Sequence, residues 1–473
     1  MSHSSCRRAA ISLAFCSFAF SGEVRAFADS ILVFNELHYN PADDVADTEW
    51  IEFHNLNGVN VDISGWRLRG GVDFDFPEGT VVEGHGYLLV AADPGNAKLA
   101  GRGALGPFTG ALNNGGEVVR IENRDQRTMN NLSYSDGGDW PIGPDGSGAT
   151  LSKRDEGSAD NRPANWISSR EIGGTPGLAN FPLSGAPAGE DPTLVFNEFS
   201  AHDAAGGFRL ELTNLSGEAI ALNGHQIGFS EGGTMTFTGG VLESGEFLIL
   251  DRALLGFGPG NEDRLFLYRP DGDLIDARSV TGQLRGRATE FGGRWLYPAA
   301  PTFAAANTFS FEDDIVINEI MYHPRPQPSS PATAAVFETW IEVHNRSADR
   351  TIALGGWRFS DGVAFEFPPG AVLTPGAYLV VAKNAAALSA KHPGANVIGE
   401  FSGSLSRSGE RLRLVDAMGN PADEVRYADG GRWPGKADGG GSSLELRDPD
   451  AENSLGGAWS ASDESHRGSW NTY

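Results

Sequence analysis

The chain has only two cysteines in 473 residues, Cys6 and Cys16. Both lie in a stretch where Arg7 and Arg8 precede an apolar run from Ala9 to Phe20, and Ala26-Phe27-Ala28 offers the small residues a signal peptidase accepts. This is the pattern of a secretory signal over residues 1–28, cleaved after Ala28. The remainder has no cysteine, so disulfides, cysteine metal sites and a thiol nucleophile are excluded, and packed cores must supply its stability. Phe15, bulky where a lipoprotein signal has a small residue, argues against lipidation of Cys16. Beyond the signal no apolar run reaches the roughly 18–20 residues of a membrane helix, so no transmembrane segment is expected. Basic residues are also scarce, 36 Lys and Arg against 62 Asp and Glu. Binding to nucleic acid or anionic lipid depends on neutralising negative charge, so neither is an expected partner. No Gly-x-Ser-x-Gly elbow, phosphate loop, dinucleotide fingerprint or His-Glu-x-x-His occurs, and no enzyme is expected.

Glycine is abundant, 63 residues of the 473, nearly twice the usual share of about 7%. With 26 prolines it cuts the chain into short segments and excludes coiled coils and long bundles, while 40% hydrophobic residues suffice for real cores. The segments repeat. Ile31-Leu-Val-Phe-Asn35-Glu36, Glu49-Trp50-Ile51-Glu52-Phe53-His54-Asn55, Gly65-Trp66-Arg67, Phe74-Asp-Phe-Pro77 and Trp140-Pro141 return as Ile315-Val-Ile-Asn318-Glu319, Glu338-Thr-Trp340-Ile341-Glu342-Val343-His344-Asn345, Gly356-Trp357-Arg358, Phe365-Glu-Phe-Pro368 and Trp433-Pro434. The offset is 283 residues at the Asn-Glu pair and 293 at the last tryptophan, so only small insertions separate the copies. A worn third copy lies between them, with Asn197-Glu198, Leu210-Glu211-Leu-Thr-Asn214 and Gly293-Arg294-Trp295. Pro182 to Pro192 reads as a linker, which divides the chain into 29–181, 193–311 and 312–473.

Trp50, Glu52 and His54 alternate with Ile51, Phe53 and Asn55, the period of a strand. Asn113-Asn-Gly-Gly116, Pro270-Asp-Gly272 and Met418-Gly-Asn-Pro421 supply turn residues that tolerate positive φ. One short helix per copy is expected after the Tyr87, Phe247 and Tyr378 strands, at Asp93-Pro94, Asp251 and Asn384. Many short antiparallel strands in units of this size predict an all-β chain of tandem sandwich domains.

The succession Asn-Glu, Trp-x-Glu-x-x-Asn, Gly-Trp, Phe-x-Phe-Pro and Trp-Pro resembles the lamin tail domain family, in particular its bacterial secreted members, closely over 31–181 and 315–470 and weakly over 193–309. The resemblance implies tandem immunoglobulin-like β-sandwich domains acting as non-catalytic interaction modules. The nuclear lamins' heptad rod is missing, so filament assembly does not carry over. The chain is expected to be an exported, non-catalytic binding or scaffold protein at the cell envelope or outside it, its partner an extracellular or envelope protein or polysaccharide. The rival expectation is a secreted metal-dependent hydrolase, or an accessory subunit of one.

Three groups of residues are candidates for chemistry. The Asn35-Glu36 pair with Glu52, and its counterparts Glu198, Glu211, Glu319 and Glu342, could form a carboxylate site, but recurrence in every copy fits a fold marker. An outward Glu pairing across strands with Arg67 or Arg358 accounts for it. His54 and His344 are expected as polar residues on a solvent face. Asp43, Asp44, Asp47 and Glu49 crowd one loop and are the candidate metal ligands, for calcium, which favours several oxygens on flexible extracellular backbone. Asn131, Asn214 and Asn345 head Asn-x-Ser sequons.

Overall fold

A computed structural model describes residues 30–42, 48–181, 193–325 and 338–463. The expected signal peptide, the 182–192 linker and Asp43, Asp44 and Asp47 lie outside them. The fold is all-β and its sheets are almost wholly antiparallel; among the described strands one pair, Tyr378–Ala382 with Val397–Gly399, is parallel. The chain divides into two compact units: 1–195 with 214–245 and 255–280, and 196–213 with 246–254 and 281–473.

The first unit begins with an immunoglobulin-like sandwich. One sheet has the order Trp166–Ser168, Leu151–Lys153, Leu32–His38, Trp50–Asn55, Tyr87–Ala91. The other has the order Thr128–Ser135, Gly116–Glu122, Arg67–Arg69, Val72–Asp75, Thr109–Gly110. Leu32, Phe34, Leu37, Ile51 and Phe53 of the first meet Leu68, Val119, Ile121 and Leu132 of the second in one core. Trp140 closes its end beside Trp166, with ring centroids 6.4 Å apart. This unit also holds a sheet of Thr234–Thr236, Gln226–Phe229, Arg264–Tyr268 and Leu274–Ser279. Phe266, Leu274 and Ala277 of that sheet pack against Ile142, Ala149 and Ile172 of the sandwich. Tyr268 donates its hydroxyl to the Ser147 carbonyl at 3.1 Å, and Arg264 pairs with Asp145 and Asp136.

The second unit carries the sheet Phe247–Asp251, Arg209–Asn214, Leu194–Phe199, Arg285–Ala288, Arg294–Leu296, and a further sandwich. The latter's sheets run Val397–Gly399, Tyr378–Ala382, Trp340–Asn345, Ile315–Met321, Leu444–Leu446, Trp459–Ala461, and Ser402–Gly403, Val363–Glu366, Arg358–Asp361, Gly409–Val415, Pro421–Ala428. Asn420 exchanges two hydrogen bonds with the Tyr297 backbone, at 2.9 and 2.8 Å.

The helices are short, as expected. Asp251 caps Arg252–Leu255 and Asn384 caps Ala385–Lys391, each through a side-chain oxygen accepting backbone N–H. After Tyr87 the element is a single 3₁₀ turn, Ala97–Leu99. Asn96 caps it, because Asp93 is engaged by the Gly95 N–H in the preceding turn.

A single irregularity positions the candidate site. Leu32 and Phe34 point into the core, and so do Leu37 and Tyr39, so the alternation changes phase between them. The register against Trp50–Asn55 shifts between Phe34 and Glu36, a β-bulge at Asn35. A bulge adds one residue to one strand and re-aims its side chains, which sets Asn35 and Glu36 side by side on the face away from the core. The same shift falls between Ile317 and Glu319, at Asn318.

Candidate functional site

The face away from the core is not open to solvent. Asn35, Glu36 and Glu52 are all fully buried. Asn35 donates Nδ2–H to Glu52 Oε1 at 2.7 Å. The backbone beyond the Trp166–Ser168 strand then crosses over them: Gly177 donates its N–H to Glu52 Oε2 at 2.5 Å, and Thr175 donates N–H and Oγ1–H to Glu36 at 3.2 and 3.3 Å. Thr150 and Ser152 hydroxyls occupy the other Glu36 oxygen. Asn180 finishes the cover, donating to the Asn35 carbonyl at 2.9 Å and the Lys153 carbonyl at 3.1 Å.

The Asn197 set repeats this clasp. Asn197 donates to Glu211 at 2.7 Å, Thr302 N–H and hydroxyl bond Glu198 at 2.9 and 3.0 Å, Ala304 N–H bonds Glu211, and Asn307 bonds the Asn197 carbonyl at 2.8 Å. In the last sandwich Asn318 donates to Glu342 at 2.9 Å and the Ser443 hydroxyl donates to Glu319.

Burial dominates the electrostatics. It pushes the Glu52 carboxyl up to about 8, helped by the charge of neighbouring Glu36, and the Glu342 carboxyl up to about 7. Glu36, Glu198 and Glu211 are raised for the same reason, against the pull of the hydrogen bonds they accept. Paired carboxylates with raised pKa are what acid–base catalysis needs. Here, however, the chain's own N–H and O–H groups occupy the positions a substrate would take. The expected outward Glu is therefore corrected: Arg67 lies in the opposite sheet, between Asp75 and Glu122 in the strand register, and Arg358 likewise lies in the opposite sheet between Glu366 and Val415, so neither is the cross-strand partner of Glu36 or Glu319.

The histidines are corrected likewise. His54 and His344 are buried and stack on Tyr87 and Tyr378, with centroids 4.7 and 4.2 Å apart. His54 Nδ1 lies 3.2 Å from Glu156, to which Tyr87 donates its hydroxyl at 2.6 Å. His344 Nδ1 lies 3.1 Å from the Ala377 carbonyl instead. Burial lowers both imidazole pKa values.

Of the candidate calcium ligands only Glu49 is described. It is buried, its carboxylate accepts the Leu112 N–H at 2.8 Å and its carbonyl the Ala92 N–H at 3.0 Å, so it ties loops together beneath the surface. Among the described residues the grouping with three acidic oxygens in reach of one ion is elsewhere, at Glu312, Asp313 and Asp314. Arg350 forks onto Glu312 at 2.8 and 2.9 Å and also binds Asp314. Two sequon asparagines are structural: Asn214 and Asn345 are buried and each donates to two carbonyls. Asn131 is exposed. The residues that sequence reasoning missed are Thr175, Gly177 and Asn180. Their signal was present, since a Thr and an Asn five apart recur at Thr302 and Asn307.

Residues 26–136 and 310–429 each match the family model described as Lamin Tail Domain, a non-catalytic immunoglobulin-like module. Both matches stop short of the strands and segments that complete the clasps. Comparison with curated proteins gave no match. Among solved structures, that of a DUF4876 family protein from Bacteroides thetaiotaomicron aligns at 15% identity over 55% of this chain and 68% of its own, with a TM-score of 0.14. Among the described residues no helix is long and apolar enough to cross a membrane.

Proposed function

We propose that the chain is an exported, non-catalytic binding or scaffold protein made of three lamin tail-like modules, 29–181, 193–311 and 312–473, the middle one worn, at the cell envelope or outside the cell. The observation that carries this reading is the use of the recurrent carboxylates. Glu36 with Glu52, and Glu198 with Glu211, are filled by donors of their own chain. Their recurrence therefore builds a scaffold, and ligand recognition falls to the loops at the sandwich ends, where sequence is free to vary without cost to the fold. The packing of Leu274 and Phe266 on Ile142 and Ala149 supports a spacer with fixed geometry within the first unit.

The test is retention of residues 29–473 on envelope and secreted material from the source organism, with and without a chelator. Saturable retention without turnover is expected. Loss on chelation would bring Asp43, Asp44 and Asp47 forward as a calcium-dependent contact. Hydrolysis of a polysaccharide or phosphate ester by the purified chain would overturn the reading.

A further inference from the structure

The copies differ at one edge of their clasp-bearing sheet. In the first sandwich Leu105 runs parallel to the strand Tyr87–Ala91: its N–H donates to the Leu89 carbonyl at 2.8 Å, and the Ala91 N–H donates back to the Leu105 carbonyl at 2.9 Å. In the last sandwich Val397–Gly399 lies parallel to Tyr378–Ala382, and the Val380 N–H donates to the Asn396 carbonyl at 2.8 Å. Phe247–Asp251 is the same strand in the middle copy, since Phe247 pairs with Thr213 as Tyr87 does with His54 and Tyr378 with His344. It ends its sheet, and among the described residues no strand pairs with its outer side and no backbone bond closes it. The cause is a short connection. Between the helical turn and the next strand stand only residues 256–263 in this copy, against 100–115 and 392–408 in the others, where the covering residues lie.

An unpaired strand edge offers a row of donors and acceptors to another strand, and folds guard it with lysine, proline, a bulge or a cover. Glu246-Phe-Leu-Ile-Leu-Asp251-Arg252 has neither lysine nor proline, and its register against Arg209–Asn214 has no shift. The turn that follows leaves Leu254 61% exposed, beside this apolar run. By their equivalence to Leu89, Ala91 and Val380, it is Ile249 and Asp251, and with them Phe247, whose backbone groups face outward. The sequence selects what meets them. Leu248 and Leu250 flank Ile249 symmetrically, with Glu246 beyond one end and Arg252 beyond the other. A two-fold axis through Ile249 sets Ile249 opposite Ile249 of a second copy, Leu248 opposite Leu250, Phe247 opposite Asp251, and Glu246 opposite Arg252. A parallel pairing of two copies would instead bring Glu246 to Glu246 and Asp251 to Asp251.

We propose that two copies of the chain join edge to edge at Phe247–Asp251, antiparallel about Ile249, so that their middle sheets become one. Ile249 exchanges both backbone hydrogen bonds with its counterpart, and Phe247 does so with Asp251 on either side. The contact is isologous and closes at two copies. It stands apart from the binding role proposed above and needs no external ligand.

Sedimentation equilibrium of residues 29–473 tests it, at an ionic strength of about 0.15 M, where screening over about 8 Å weakens the repulsion between two acidic chains. A monomer–dimer equilibrium is expected between about 1 and 200 μM, with hydrogen exchange over 246–252 slowed at least about threefold in the dimer. Because the axis passes through residue 249, Ile249→Lys and Ile249→Glu each set like charges opposite one another. Each alone should weaken association at least about tenfold, and an equimolar mixture of the two should restore it. Monomer throughout the range, assembly beyond the dimer, or a dimer whose exchange over 246–252 is unchanged would overturn the proposal. So would variants that dimerise alone as the unsubstituted chain does, or that stay monomeric on mixing while keeping its urea midpoint. Where a variant loses its fold, the exchange of the unsubstituted chain decides.

Discussion

Asn453 donates its Nδ2–H to Asp423 at 2.7 Å, and the first sandwich makes this bond with the partners exchanged, Asn130 donating to Asp160 at 2.5 Å. Both acids also accept the N–H of the strand residue before the bulge, Ile317 at 2.6 Å and Phe34 at 3.3 Å. The indole N–H that follows goes to the backbone of the second partner in each case, Trp459 to Asn453 and Trp166 to Asp160, both at 2.7 Å. One buried acid and one amide are thus required, while which strand supplies which is free. The copies differ in what balances the charge. Lys153 pairs with Asp160, both nearly inaccessible, whereas Leu446 stands in that place and burial pushes Asp423 up to about 6.

The exchange predicts a rescue. Lys153→Leu alone leaves Asp160 buried without its cation and should cost about 3–5 kcal/mol, as breaking a buried ion pair does. The triple change Lys153→Leu, Asn130→Asp, Asp160→Asn reproduces the arrangement of the last sandwich and should recover more than half of that loss. Urea unfolding of the three proteins decides it. Losses that simply add would show the two sets are not interchangeable.

The alternation of Trp50, Glu52 and His54 with Ile51, Phe53 and Asn55 could be read directly, and so could the strands, hairpins and repeats, because local periodicity and turn chemistry encode them. The burial of Glu36 and Glu52 could not. It depends on a bulge at Asn35, which strand periodicity does not announce, and on cover from Thr175–Asn180, about 140 residues away in sequence. His54 was misjudged for the same reason: the polar half of an alternating strand faces solvent only if nothing returns to cover it.

The raised carboxyls make stability fall as pH rises. Glu52 and Glu342 have folded pKa values near 8 and 7 against about 4.5 unfolded, so the native state binds the extra protons. Their contribution is complete below pH about 4.5 and is lost as pH climbs through the folded values. The urea midpoint should therefore be higher at pH 5 than at pH 9, and Glu52→Gln should flatten that slope. A midpoint that rises with pH over this window would show these groups are ionised at no cost.

Asn345 heads a sequon but serves as a brace. Its Nδ2 donates to the Arg350 and Leu373 carbonyls at 2.8 and 2.9 Å, and its Oδ1 accepts the Ser347 N–H at 3.0 Å. Asn345→Ala strands these buried groups and should cost about 2–3 kcal/mol. Ser347→Ala removes the sequon equally well but keeps the backbone bond, and should cost less than half as much. Equal losses in thermal unfolding would place the effect elsewhere.

Ala304 occupies a glycine position. Its φ of +68° is nearly that of Gly177, at +76°, because both must present an N–H to the second carboxylate of their clasp. An L side chain in this region costs about 1–2 kcal/mol through contact of Cβ with the following carbonyl. Ala304→Gly should therefore stabilise by about 1 kcal/mol, less than the full strain because glycine also frees the unfolded chain. Gly177→Ala should destabilise by a similar amount. An added Cβ there finds Arg102 no closer than 3.5 Å, so the penalty is conformational and not steric crowding. Opposite signs for the two exchanges in urea unfolding are the expected result; if both destabilise, the freedom glycine adds to the unfolded chain outweighs the strain relieved at 304.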